Sequence, residues 1–200
     1  AGAVAARGGG GGGVAGGRPA GRAAAAGLVP LREGPRGTEV WASRRPDGLR
    51  HHSREMAFPG GKRDPADADL DATALRETEE ELGIPRSRLR LLGRLAAVPT
   101  ATSLFTLNPV VAEVLPGVEP NPAEDEVAEL VSFPLEEFFL DRVPYKAIDL
   151  GRYRSPIFNF PAGAMYGATA HILLELLELY STVCDLSLPV PELTPKVPWA

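Results

Sequence analysis

The chain has 200 residues, room for one domain with tails, and its 44% apolar content allows a real core. A net charge of −5 argues against general affinity for nucleic acid. The one cysteine, Cys184, excludes an internal disulfide framework and is compatible with a reducing compartment. No apolar run approaches the roughly 18 residues of a membrane span.

Residues 1–22 are nearly all Ala, Gly and Arg, with an unbroken glycine run over 8–13. Such a composition cannot bury a core and predicts a disordered leader. Arg7, Arg18 and Arg22 precede the first acidic residue, Glu33. An acid-poor, Arg-bearing leader resembles an organelle transit segment, but it lacks Ser and an amphipathic pattern. The two readings are a low-complexity extension of a cytoplasmic protein and a mitochondrial or other organellar address.

Residues 23–31 predict a strand broken near Pro30, 33–37 a turn, and 38–44 a second strand with Val40 and Ala42 on one face. The two strands make a hairpin. A basic stretch follows, in which Arg45, Arg50, Arg54, Lys62 and Arg63 bracket the pair Gly60-Gly61. Guanidinium forks suit phosphate oxygens, so these are candidate anion ligands. His51 and His52 are adjacent, but no cysteine or third histidine lies nearby in sequence. Zinc is therefore not expected, and His52 reads as a loop or substrate-contact residue.

The next stretch organises the chain. Asp69 or Asp71 can cap a helix that ends at Leu82, where Gly83 suits a left-handed position and Pro85 prevents resumption. At about 100° per residue, Leu75, Thr78 and Leu82 share a core-facing arc. Glu77, Glu80 and Glu81, at i, i+3 and i+4, gather on another. Like charges so spaced repel on a bare helix, and the patch is either a solvated acidic face or one whose repulsion a cation offsets. The patch has no Cys or His, so its ligands are hard oxygens, which favour Mg2+ or Mn2+. Upstream, Gly60 and Gly61 let backbone approach closely, and the Gly61 carbonyl is a candidate metal ligand. Arg76, one turn from Glu80, is placed to orient the carboxylates.

Further on, 89–97 reads as a strand and 105–115 as the clearest strand of the chain, with Pro109 pointing to an edge or a bulge. Residues 121–127 form an acidic loop. Within it Glu126 is a candidate base, a group acting through a neighbour, or a cap. Residues 131–139 predict a strand leading into a short helix, and 141–163 a loop-rich region. A helix over 165–180 presents Ile172, Leu173, Leu176, Leu179 and Tyr180 as an apolar stripe. From Leu186 the chain is Pro-rich and expected to be extended. The domain is predicted over 23–183, with 184–200 as a tail.

The run Arg76-Glu77-Thr78-Glu79-Glu80-Glu81-Leu82-Gly83-Ile84 resembles the core of the Nudix box, REUxEExGU, with Thr78 at its usually aliphatic position. The generic box places Glu six residues after its first glycine, whereas six residues from Gly61 reach Asp67, and the gap to Arg76 is one residue longer. In this the chain is similar to the coenzyme A diphosphatase branch, FPGGxxDPxDxxxxxTALRExxEE. Phe58-Pro59-Gly60-Gly61, Asp64-Pro65, Asp67 and Thr73-Ala74-Leu75-Arg76-Glu77 stand at those positions. Upstream, Arg45, Leu49, His52 and Phe58 match that branch, and Arg54 replaces its glycine.

The resemblance implies an α/β Nudix fold, a mixed sheet in an α/β/α sandwich. It implies metal-dependent hydrolysis of a small-molecule nucleoside diphosphate derivative, with Glu77, Glu80, Glu81 and Gly61 as metal ligands. Arg76, Glu77, Glu80 and Glu126 are the catalytic candidates, and Arg45, Arg50, His52 and Lys62 the substrate ligands. Coenzyme A is the expected substrate, giving 3′,5′-ADP and 4′-phosphopantetheine. ADP-ribose, NADH or a nucleotide sugar is the alternative, and a Nudix-fold binding protein without turnover the third reading. No nucleic-acid or membrane partner is expected, and a homodimer is left open.

Overall fold

The computed structural model describes residues 22–46, 55–100, 104–140, 142–143, 145–151 and 154–195. Expectations for the leader before Arg22, and for Leu49, Arg50, His51, His52 and Arg54, lie outside the described residues.

In chain order the elements are β1 (Ala23–Gly34), β2 (Gly37–Arg44), β3 (Met56–Ala57), β4 (Gly60–Lys62), α1 (Leu70–Leu82), β5 (Leu89–Arg94), β6 (Val98–Pro99) and β7 (Phe105–Val114). They continue with β8 (Glu129–Pro134), α2 (Glu136–Phe139), β9 (Tyr145–Asp149), β10 (Arg154–Phe160), β11 (Gly163–Met165), α3 (Gly167–Cys184) and β12 (Glu192–Thr194).

The first sheet runs β3-β2-β1-β7-β5, with β8 on β2, β4 on β1 and β6 on β7. Its centre is a long parallel pairing of β1 and β7, from Ala23 opposite Phe105 to Leu31 opposite Glu113. All other pairs in the sheet are antiparallel, which makes it mixed. β1 and β2 form the expected hairpin, turning at Gly37 with φ 91°. Strand alternation sends side chains to two cores. Ala26, Leu28, Trp41, Val110, Ala112 and Val114 pack on one face with Ala74, Leu82 and Ile84 of the α1 segment. Val29, Val40, Ala42 and Val111 pack on the other with α3 and with Phe158 and Phe160 of β10. Because both faces are covered, β1 and β7 read as continuous apolar runs.

Several elements differ from expectation. β1 is not broken at Pro30. The Leu28 N–H bonds to the Pro59 carbonyl, and by strand alternation the nitrogen of Pro30 points to the same side. There it falls between the end of the β4 pairing at Gly27 and the start of the β2 pairing at Leu31, so no ladder bond is lost. β7 is central rather than an edge. Pro109 is tolerated because it lies opposite the irregular stretch between β5 and β6, where its carbonyl accepts the Leu95 N–H.

The region read as loop-rich, and by resemblance as a hairpin, does hold an antiparallel pair, β9 and β10, within a second sheet ordered β11-β10-β9-β12. The Pro-rich stretch is extended, but Glu192–Thr194 forms β12, parallel to β9. The last helix begins at Gly167 rather than Met165 and continues to Cys184. Among the described residues no helix is long and apolar enough to cross a membrane.

Candidate active site

α1 begins and ends where local rules put it. The Asp69 carboxylate accepts the Ala72 N–H at 2.8 Å, and Gly83 closes the helix in the left-handed region at φ 64°. Its buried residues are Thr73, Ala74, Thr78 and Leu82, while Leu75 is only partly buried. Thr78 and Leu82 face the core as expected, and Ala74 rather than Leu75 completes the arc. Thr78 sits at the usually aliphatic position without an orphaned hydroxyl, because it donates to the Ala74 carbonyl at 2.7 Å.

The neighbouring face of α1 lies against the glycine loop. The Gly60 N–H donates to Glu81 Oε1 at 3.0 Å. Gly60 is itself pressed against β1, where a side chain would strike the Ala26 carbonyl and the Cα of Gly27. A Cβ on Gly61 would overlap the Glu77 carboxylate, so a cradle is left open there. Burial pushes the Glu81 carboxyl up to about 7, aided by the negative charges of Glu126 and Glu77 and opposed by the Gly60 N–H and Arg45. Burial also raises Glu77, opposed by its ion pair with Arg76.

The loop carrying Glu126 docks on the end of α1 through Asn121 N–H to the Leu82 carbonyl and Ala123 N–H to the Glu81 carbonyl, both at 2.9 Å. Val127, buried in the α1-side core, anchors it. This brings the exposed Glu126 near enough to Glu77 and Glu81 to raise both. Glu80 is turned away. It is half exposed, and one oxygen pairs with Arg76 Nη1 at 2.9 Å.

Arg76 is the hub of the helix. It pairs with Glu77 at 2.9 Å and donates from Nη2 to the Lys62 carbonyl at 3.1 Å. Its principal partner is Asp67, reached from Nε and Nη2, both at 3.1 Å. Asp67 is buried and also accepts the Thr73 hydroxyl and the Asp64 N–H, both at 2.9 Å. With the Arg76 bond foremost, these contacts hold its carboxyl far below the usual carboxylate range. The Arg76 guanidinium is raised in turn by Asp67 and Glu77.

Asp67 is the site residue that sequence reasoning passed over. Its signal was present: the aspartate is one methylene shorter than the glutamate of the generic box, and the gap to Arg76 is one residue longer.

Across the glycine loop from these carboxylates lies a cleft of about 300 Å³ lined by Arg45, Phe58, Gly60, Gly61, Lys62 and Phe105, among others. Arg45 and Lys62 therefore share one cavity with Gly61. Among the described residues no three acidic, histidine or cysteine side chains converge tightly enough to form a metal cage by themselves. The donors at hand are instead the Glu77 and Glu81 carboxylates and the Gly61 carbonyl. All are hard oxygens, and the proton affinity of Glu81 marks a negative charge lacking a counter-ion. That donor set fits Mg2+ or Mn2+ rather than zinc.

A NUDIX domain model matches residues 21–152. The chain belongs to the Nudix hydrolase superfamily. It is 41% identical over 129 residues to an uncharacterized Nudix hydrolase, NudL, of Yersinia enterocolitica, covering 64% of this chain and 60% of that protein. The NudL of Yersinia pestis is 37% identical over 161 residues, 78% of this chain and 79% of that protein. Among solved structures, the Nudix hydrolase RenU of M. smegmatis matches with a TM-score of 0.56 at 22% identity, covering 82% of this chain and 88% of that one. An Ap4A hydrolase of C. elegans matches at 0.54 and 18%, covering 80% and 98%. These two likenesses bear on the fold alone.

Proposed function

We propose that the protein hydrolyses the diphosphate of coenzyme A or an acyl derivative, yielding 3′,5′-ADP and 4′-phosphopantetheine or its acyl form. Water oxygen bonds to one phosphorus, the P–O–P bridge breaks, and the other phosphate departs with the bridging oxygen. A bound Mg2+ or Mn2+ supplies charge neutralisation of the phosphates and a more acidic water.

In this reading Glu77, Glu81 and the Gly61 carbonyl hold the ion, with Glu80 as a further ligand or one acting through water. Arg76 holds Glu77 and Glu80 in place. The water's proton passes to Glu77, Glu80 or Glu126. Arg45 and Lys62 take substrate phosphates, together with Arg50 and His52, which lie outside the described residues. The relatives named above are bacterial, which favours a cytoplasmic enzyme over an organellar one.

The observation that carries this reading is the cleft. It is lined by Arg45 and Lys62 together with Gly60 and Gly61, the loop that Glu81 bonds, and for the remainder by Val29, Phe58, Leu107 and Ile172. Cations suit a ligand with a phosphate beyond its diphosphate, and the apolar wall suits a long uncharged arm. The test is a panel of coenzyme A, dephospho-coenzyme A, ADP-ribose and NADH with products read by mass spectrometry. Coenzyme A should be preferred over the dephospho form, and turnover in H₂¹⁸O should label one product only. Efficient cleavage of ADP-ribose with coenzyme A untouched would leave a Nudix hydrolase of a different substrate.

A further inference from the structure

Lys62 is long and exposed, and because the Cβ position of Gly61 faces Glu77, strand alternation in β4 sends the Lys62 side chain to the opposite face. Its ammonium lies over the ring of Phe105, 5.0 Å from the centroid. Both residues line the cleft.

The two ends of this contact are held independently. The Lys62 backbone is fixed by its register opposite Ala25 in β1 and by Arg76, which donates to its carbonyl at 3.1 Å. Phe105 opens β7 opposite Ala23. Its carbonyl accepts the Thr100 N–H at 3.0 Å, the Thr100 hydroxyl at 3.1 Å and the Arg22 guanidinium at 3.2 Å. The backbone that carries the ring is therefore fixed, and the long lysine side chain brings the ammonium to it. The face of an aromatic ring carries negative potential and attracts a cation without neutralising it. An ammonium held there remains available to an anion, whereas the field of one paired with a carboxylate is offset by its partner.

We propose that Phe105 determines specificity through Lys62. Its ring holds the ammonium in the cleft and presents it to a phosphate monoester of the ligand. This deepens the reading above and rests on its phosphate-bearing nucleotide. Phe105 is a positioning residue here: the contact with phosphate belongs to Lys62.

The experiment is a double-mutant cycle of Phe105→Leu and Lys62→Met in the full chain, read by calorimetric binding of 3′,5′-ADP and of AMP, which differ by one phosphate. Phe105→Leu keeps an apolar wall and removes the ring potential. It should weaken 3′,5′-ADP roughly two- to fivefold, the range of an exposed cation–π contact, and AMP by less. In the Lys62→Met background the same change should have no further effect on 3′,5′-ADP. Phe105→Trp should restore wild-type discrimination, and thermal melting of each variant shows that the fold persists.

Equal weakening of both nucleotides, or an effect of Phe105→Leu that survives in Lys62→Met, would overturn the proposal and make the ring a platform for the base. Absence of any preference for 3′,5′-ADP in the wild type would overturn it too. Coenzyme A turnover is measured separately. Intact coupling with coenzyme A uncleaved sinks the substrate reading and leaves the Phe105–Lys62 assignment standing.

Discussion

The helices α1 and α3 cover opposite faces of one sheet and are held in opposite ways. α3 buries Ala170, Ile172, Leu173, Leu176 and Leu177, a continuous apolar stripe. α1 buries Thr73, Ala74, Thr78 and Leu82, of which only Leu82 is a large apolar side chain. It is fixed instead by bonds: the Asp69 cap, the Thr78 hydroxyl, the Asp67–Arg76 pair, and Glu81 against the glycine loop. The difference separates stability from chemistry. Apolar burial asks nothing of the opposite face of a helix, so α3 supplies a support. A helix held by directed bonds has its carboxylates aimed, and α1 tolerates mutually repelling acids because their geometry is imposed from outside.

The sharpest way to break this comparison is Glu81→Gln. The amide keeps the size of the side chain and can still accept the Gly60 N–H, but it gives up the charge offered to a divalent ion. Activity at saturating Mg2+ should fall roughly 10²–10³-fold, the equivalent of several kcal/mol of transition-state charge stabilisation. The metal-free variant should nevertheless melt higher than the wild type at pH 8, because a buried uncompensated charge has been removed. Normal turnover, or a lower melting point, would contradict the assignment.

The matching change in α3 is Leu173→Ala. Leu173 is fully buried among the aromatic and aliphatic side chains of the larger core. Truncation should cost about 2–5 kcal/mol by denaturant unfolding. Per folded molecule, the metal requirement should stay unchanged, since nothing in the α1 network is touched.

The comparison also explains what was legible beforehand. The caps of α1 and the i, i+3, i+4 spacing of its glutamates follow local rules and could be read directly. Of the second sheet only a hairpin could be expected, by resemblance, and not its full extent. β9 and β12 pair across more than 40 positions of sequence, and β10 carries Pro156 in its middle, a residue that ordinarily argues against a strand. Pro109 pointed to an edge or a bulge: the strand is central, and the irregularity lies in the neighbouring β5 pairing, because whether a proline is tolerated depends on what lies beside it. Within the site, Glu80 reads the same as Glu77 and Glu81 along the chain, and only the position of Arg76 turns it aside. Asp67 was visible as a departure from the generic spacing, but its burial against Thr73 and Arg76 is tertiary information.

A smaller effect appears in the pH dependence of the metal-free protein. The Glu81 carboxyl is raised from 4.5 to about 7 on folding, so the folded state holds its proton more tightly than the unfolded chain. Stability from this group is greatest below pH 4.5, declines as pH rises to about 7, and is level above. The cost at pH 8 is on the order of 3 kcal/mol. Asp67 acts in the other direction: its folded value is depressed, so its contribution is present above its ordinary 3.8 and lost as pH falls below that. The metal-free protein should be most stable near pH 5. Added Mg2+ should raise its melting temperature more at pH 8 than at pH 5. A metal-induced shift independent of pH would mean that Glu81 does not meet the ion.

The finest test concerns the bonds that aim α1. Asp67 lies at the far end of the network, in contact with Arg76, and through it governs Glu77 and Glu80. Asp67→Asn keeps the shape and removes the charge that anchors the guanidinium. The Mg2+ concentration for half-maximal activity should rise about tenfold, the usual range for a partner that orients a ligand, while KM for substrate changes little. Asp67→Glu restores the charge but adds a methylene where the side chain is only 6% exposed. The longer chain displaces the carboxylate from the Thr73 hydroxyl and the Asp64 N–H that the aspartate meets at 2.9 Å. The glutamate of the generic Nudix spacing should therefore rescue poorly here, because this loop is one residue longer and is built around the shorter acid. A fully active Asp67→Glu enzyme would show that charge alone positions Arg76. A rise in KM with no change in metal dependence would move Arg76 from the carboxylates to the substrate.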